Sequence, residues 1–438
     1  MKRFTLILFA LSIFSSCFCQ DTVRTYWSNQ QLMSEGLKKE NKEEGLWTFY
    51  YRNGAKWSEG HYRNGEKTGV WKVWYDNGKI WQEYETPEGS FTSWFQNGQI
   101  ESQGKLANGK KNGDWVFYHE NGKIFKNNQY VNDSVHGYVK EYFNNGKIHF
   151  EGYYDNGALH GYARWFTREG FPDMEGKSVR NLQDSTWTFY HEDGTLGSRG
   201  NFINGLQEGE WKYFYNDGKL WRKGYFEKGK RTGIWEAWYE SGALNRRGPF
   251  KNDKEEGTWT QWYENGNVEH TGDFRDGNMS GEWKGYYEDG KLSYKIEYKN
   301  GERHGKYQFW FPNGRKRSEG KYANGKKEGK WNEYASNGQL FETGSYHNDM
   351  KNGKWTFYDQ RGSMMRQQNF TDDVATGVFT EYYPNGKKQM EGQYKNRLKH
   401  GKWSYWNPAG KLVYSVEFDH DRQVKIHVNT DPSVRKPF

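Results

Sequence analysis

Between residues 45 and 418 the apolar positions fall in short clusters of rings separated by glycine and polar residues, and the clusters repeat every 24 residues. Self-similarity at such a period is the signature of a repeat architecture, which overrides the two or three compact domains that 438 residues would otherwise suggest. Repeat starts fall at Gly45, Gly69, Gly89, Gly113, Gly137, Gly161, Ser185, Gly209, Gly233, Gly257, Gly281, Gly305, Gly329, Gly353, Gly377 and Gly401. From Gly89 onward every step is 24 residues; the repeat at Gly69 has 20 and contains Pro87.

Counted from each start, position nine is glycine in all sixteen repeats, usually after Asn or Asp, as in Asn53-Gly54, Asp217-Gly218 and Asn385-Gly386. Such pairs accept positive φ at both central residues, so the spacing predicts a hairpin closed by a type I′ turn here. A second turn eleven residues later, as at Asn64-Gly65, Asn108-Gly109 and Asn324-Gly325, joins one hairpin to the next. The first strand carries Trp at position two in eleven repeats and an aromatic at position five in all sixteen; the second carries Glu-Gly and then a ring, as in Glu59-Gly60-His61-Tyr62 and Glu391-Gly392-Gln393-Tyr394. Positions two and five point to opposite faces. The strand glycines, lacking Cβ, are expected to be floors onto which neighbouring rings pack. The expected fold class is all-β: an elongated ribbon or solenoid of tandem antiparallel hairpins, on the order of 150 Å long before twisting at about 4.8 Å per strand.

Composition fits this picture only through its rings. Mean hydropathy is −1.20, which alone would suggest disorder, but Trp 22, Tyr 33 and Phe 27 supply the surface a core needs. Residues 1–19 read as a signal peptide, with Lys2 and Arg3 before an apolar stretch too short to span a bilayer and cleavage after Cys19. The chain is expected to be exported, to the exterior, periplasm or cell surface, with no transmembrane segment. Phe14-Ser15-Ser16-Cys17 resembles a bacterial lipobox, so a lipoprotein anchored through Cys17 is the alternative. Both cysteines lie in this segment, which excludes disulfides and thiolate metal sites from the chain after Cys19. Loss of Lys2 and Arg3 lowers the net charge from +8 to +6. With both signs interleaved, that describes a solvated surface and not a nucleic-acid track. Residues 20–44 read as a degraded capping repeat, with Tyr26 and Trp27 in ring positions and Glu35-Gly36 in the second strand; residues 419–438 read as a cap, with Val424, Ile426 and Val428 alternating, and a basic tail at Arg435 and Lys436.

Gly-x-Trp-x-x-aromatic-aromatic, Asn-Gly-Lys, Glu-Gly-x-Tyr and Asn-Gly together resemble the MORN repeat, in its bacterial variant also known as the YwqK-type antitoxin repeat. The match covers residues 45–418. It implies scaffolding, protein binding along a ribbon, or membrane association; the antitoxin label implies a cytosolic toxin partner, with which a signal peptide conflicts.

Chemistry is sparse. None of the twelve histidines forms a His-x-x-x-His or His-Glu-x-x-His pair, and His136, His160, His304 and His400, each just before a start, stand where other repeats have Glu44, Glu208 or Asn352. That exchange suggests a solvent-facing turn rather than a metal ladder. The acid pairs Glu255-Glu256 and Asp372-Asp373 are likewise placed in inter-repeat turns, and no catalytic, cofactor or metal residues are identified. What remains is surface. Position six holds Tyr51, Tyr75, Phe95, Tyr215, Tyr239, Tyr263, Tyr287, Phe311 and Tyr383, a candidate binding ladder that ordinary packing between hairpins would also explain. The expected function is a non-enzymatic extracytoplasmic scaffold for protein partners, with cell-envelope glycan on an aromatic ladder as the alternative and membrane-surface binding behind it. The short repeat at Gly69 and the mixed sixth position are where a site is first expected.

Overall fold

The computed structural model describes residues 21–428; the expected signal peptide, Cys17 and the basic tail lie outside the described residues. Those residues form 36 β-strands and no helix. They divide into two compact blocks, one ending at Leu206 and the other beginning at Gln207. Within each block consecutive strands pair antiparallel, two per repeat, as in β3 (Lys42–Tyr50) with β4 (Lys56–Arg63) and β33 (Lys388–Lys395) with β34 (Leu398–Trp406). The expected all-β class of tandem hairpins is what the chain adopts.

The first turn is not the type I′ turn expected from sequence. At the first, Gly54 alone has positive φ (85°); its N–H donates to Tyr51 O at 3.0 Å and Tyr51 N–H to Ala55 O at 2.8 Å. That is a type I turn followed by a left-handed glycine, the three-residue hairpin loop. Asn53 is there for its side chain: Oδ1 accepts from Ala55 N–H at 3.0 Å. The type I′ turn is the inter-repeat one, where Asn64 (54°) and Gly65 (83°) both have positive φ. Asp372-Asp373 sits in such a turn, but Glu255 lies in a strand.

The starting glycine is a bulge, not a turn. Gly36 pairs with Trp47 but Leu37 with Glu44, so Gly45 and Leu46 are extra residues on their strand, and Gly45 takes the positive φ of 68° that the bulge requires. His136, His160, His304 and His400 therefore lie inside strands, one residue before a bulge. At this position Glu44 accepts from the N–H of Asn64 in the next turn at 2.9 Å, as Glu256 does from Asp276. Exchange among Glu, His and Asn reflects a shared turn-capping place.

The glycine floors are real, and they are specific. A Cβ on Gly60 would lie 2.3 Å from the Trp71 indole, and on Gly104, Gly320 and Gly392 it would lie 2.3, 2.2 and 2.1 Å from Trp115, Trp331 and Trp403. Each indole also donates Nε1–H to the carbonyl next to its glycine, as Trp115 does to Lys105 O at 3.0 Å. All eleven Trp at position two follow a repeat with glycine at position fifteen. Where that glycine is absent the Trp is too: Tyr84 faces Phe91, Ile296 faces Tyr307, Gln368 faces Phe379, and Asn128 precedes Val139. Gly152 is the exception, facing Ala163, with the Phe150 ring filling the space.

Residues 21–44 contribute β1 (Asp21–Tyr26) and β2 (Leu32–Lys39). Gly36 floors Trp47, and Trp27 donates Nε1–H to Tyr50 O at 3.1 Å. At the other end β36 (Arg422–Val428) pairs with β35 (Leu412–Asp419), and Val424, Ile426 and Val428 are all exposed.

Candidate binding surfaces

The nine predicted ladder residues sit at the start of the first turn, each half-buried. Their hydroxyls are engaged: Tyr51 donates to Trp74 O and Tyr75 to Trp94 O at 2.8 Å each in the first block, and Tyr215, Tyr239, Tyr263, Tyr287 and Tyr383 donate to Trp238, Trp262, Tyr286, Trp310 and Trp406 at 2.5–2.8 Å in the second. Phe95 and Phe311 occupy the same place without a hydroxyl. His119 makes the equivalent bond to Tyr142 O through Nε2 at 2.8 Å, which explains how a polar residue substitutes there. The turn asparagines run alongside, with Asn97 Nδ2 donating to Glu120 O at 2.9 Å and Asn385 Nδ2 to Pro408 O at 2.8 Å. This file stitches each repeat to the next.

The Glu of the Glu-Gly pair does the same on the face opposite Trp. Glu319 accepts from Lys316 at 2.7 Å, Asn332 at 3.0 Å and Tyr334 at 2.7 Å, the last two from the following repeat. Burial pushes its pKa up, but these hydrogen bonds outweigh it and bring Glu319 down to about 2. Burial and the Glu319 carboxylate together push Tyr334 up to about 12.

An exposed file within the strands is one that sequence reading passed over. At most starts a bulge re-aims the next side chain outward, whereas the strands meeting at Gly89 pair without a register shift; fifteen of the sixteen residues at position one are exposed. In the first block they include Leu46, Val70, Tyr138 and Tyr162, the last two 53% and 56% exposed; in the second, Ile234, Lys306, Lys330 and Val378. Position sixteen adds cross-strand neighbours, as Tyr153 beside Tyr138 and Tyr225 beside Glu210. The signal was present as variability: position one ranges over aliphatic, aromatic, acidic and basic residues while its flanking glycine and Trp recur.

Among the described residues one group could hold an ion, His400, Asp419 and His420, with donor atoms within 4.8 Å of one another. Asp419 is paired with His420 at 2.6 Å and lies 3.8 Å from His400. No helix there is long and apolar enough to cross a membrane.

An open array of hairpins with glycine-floored Trp and an inter-repeat Tyr/Asn file defines a β-hairpin repeat scaffold. The MORN repeat variant family matches twelve segments, 43–64, 67–86, 111–132, 135–156, 207–228, 231–252, 255–276, 279–300, 303–324, 327–348, 375–396 and 399–420, together more than half of the chain. The chain belongs to that family. No curated protein matches it. Solved structures similar to it include the "Crystal Structure of TcdB2-TccC3-Cdc42" (10% identity, 91% of this chain and 26% of that chain, TM-score 0.15). Another is the Photorhabdus luminescens Tc holotoxin pore with TccC3-D651A (10% identity, 90% and 25%, TM-score 0.15). The chain spans about a quarter of the length of those chains.

Proposed function

We propose that this protein is a non-enzymatic extracytoplasmic scaffold that binds protein partners through the exposed files at positions one and sixteen. The observation that carries the reading is the bulge: a recurring framework presents, at 24-residue intervals, one outward side chain whose chemistry varies along the array. Such spacing suits a partner engaging several repeats at once, which raises affinity through effective concentration without any single strong contact. The signal peptide expected from the sequence favours partners in the envelope over the cytosolic toxin that the YwqK-type resemblance implies. A glycan platform on the position-six ladder is the weaker reading, because its rings are half-buried and its tyrosine hydroxyls are committed to backbone carbonyls.

The test is capture from an envelope extract with the purified mature chain as bait, against a variant carrying Tyr138→Ser, Tyr162→Ser, Tyr225→Ser and Ile234→Ser. The reading expects a protein retained by the first and at least tenfold depleted on the second. Equal retention by both baits would remove it.

A further inference from the structure

A transverse row of paired residues crosses the second block on the Trp face, running Tyr213, Arg222, Ala237, Arg246 and Gln261. Ala237 stands at position four, where other repeats of this block carry Phe309, Phe357 and Tyr405. The missing ring leaves a cleft of about 150 Å³, lined chiefly by Arg222, Arg231, Ala237, Arg246, Phe250 and Trp259.

Each guanidinium rests on a ring: Arg222 lies 4.2 Å from the centroid of Tyr213, Arg231 4.1 Å from Phe250 and Arg246 4.2 Å from Trp259. Stacking fixes the planar forks and leaves their in-plane N–H edges as donors. Arg231 is paired with Asp253 at 3.2 Å and Arg246 with Glu255 at 3.6 Å. Glu236 also borders the cleft but is held by Lys223 at 3.2 Å and Arg247 at 3.4 Å. Among the described residues no carboxylate pairs with Arg222, and its Nε–H is buried without an acceptor. A buried donor of this kind, beside an opening that a small residue creates, marks the place of an absent acceptor.

We propose that this cleft receives a carboxylate side chain from an acidic segment of a protein partner. The assignment rests on the scaffold reading above and names the chemistry of one contact. Arg222 and Arg246 flank Ala237 on neighbouring strands, so their Cα atoms are about 10 Å apart. The cleft of about 150 Å³ has room for a carboxylate, whose planar oxygens suit a guanidinium fork, whereas pockets for sugar-sized or nucleotide-sized ligands begin near 300 Å³.

Fluorescence anisotropy with a labelled hexaglutamate peptide tests this on the full mature chain, with hexaglutamine as control and inorganic phosphate as competitor. Ala237→Phe restores a ring that sister repeats accommodate, so it closes the cleft while keeping the circular dichroism spectrum and melting curve of the parent. The expected result is hexaglutamate binding that weakens at least tenfold in Ala237→Phe and in Arg222→Met, and less than twofold in Arg247→Met on the opposite face. Unchanged binding in Ala237→Phe, absence of binding to the parent chain, or binding of hexaglutamine as tight as hexaglutamate would overturn the proposal. Displacement of the peptide by phosphate at equal concentration would overturn the choice of carboxylate. Because the probe is a peptide and not a captured partner, this test and the capture experiment can fail separately.

Discussion

The pairing of glycine at position fifteen with Trp at position two of the next repeat is the smallest unit of this fold. Adding one methyl to Gly320 places it 2.2 Å from the Trp331 ring, inside van der Waals contact, so the indole must leave its site. Gly320→Ala is therefore expected to destabilise its neighbourhood by about 3 kcal/mol, read as faster hydrogen exchange in the flanking strands. Asn128 with Val139 shows the chain's own remedy. Gly320→Asn combined with Trp331→Val should recover at least about 1 kcal/mol against the sum of the single changes; strict additivity would contradict the floor account. Glu319 gives the pH dependence. Its folded pKa of about 2 lies below the ordinary glutamate value of 4.5, so its contribution is fully present above the unfolded value and is lost as pH falls toward 2. An acid titration of Glu319→Gln should show a shallower loss of stability across pH 5 to 2, by on the order of 1–2 kcal/mol after solvent screening.

At the scale of the hairpin, glycine has two separable jobs. A Cβ on Gly314, at φ 81°, meets nothing within 4 Å, so Gly314→Ala costs only the left-handed backbone, about 1 kcal/mol. That is well short of the cost at Gly320, and denaturant midpoints of the two variants should rank accordingly. The hairpins, the floors and the opposed faces of positions two and five were legible in the sequence because each is a local chemical requirement repeated many times. The turn types were not, because Asn-Gly occurs at both turns and only the pairing register separates a three-residue loop around Asn53 from a two-residue loop at Asn64. The bulge was hidden for a related reason. A regular period says nothing about two extra residues that most repeats share, and without the bulge the outward aim of Leu46 or Tyr162 cannot be seen. The Arg222–Ala237–Arg246 row likewise depends on pairing across that bulge.

For the molecule as a whole, stability should be close to a sum over repeats and their nearest-neighbour contacts. Deleting residues 329–352 joins Glu328 to Gly353, a polar residue before a starting glycine as in every other repeat, and should leave a folded β protein with a slightly lower denaturation midpoint. Deleting 329–340 breaks the register and should abolish cooperative unfolding, as followed by circular dichroism. The scaffold reading makes its sharpest claim about where a partner sits. The most direct test places a photo-crosslinking residue, one position at a time, at Tyr138, Tyr162, Tyr225 and Ile234, and at the turn positions Asn97 and Asn385 as references. The same protein crosslinked from several of the first four and from neither reference is the predicted outcome; crosslinks confined to the turn positions, or a different neighbour at every site, would contradict it.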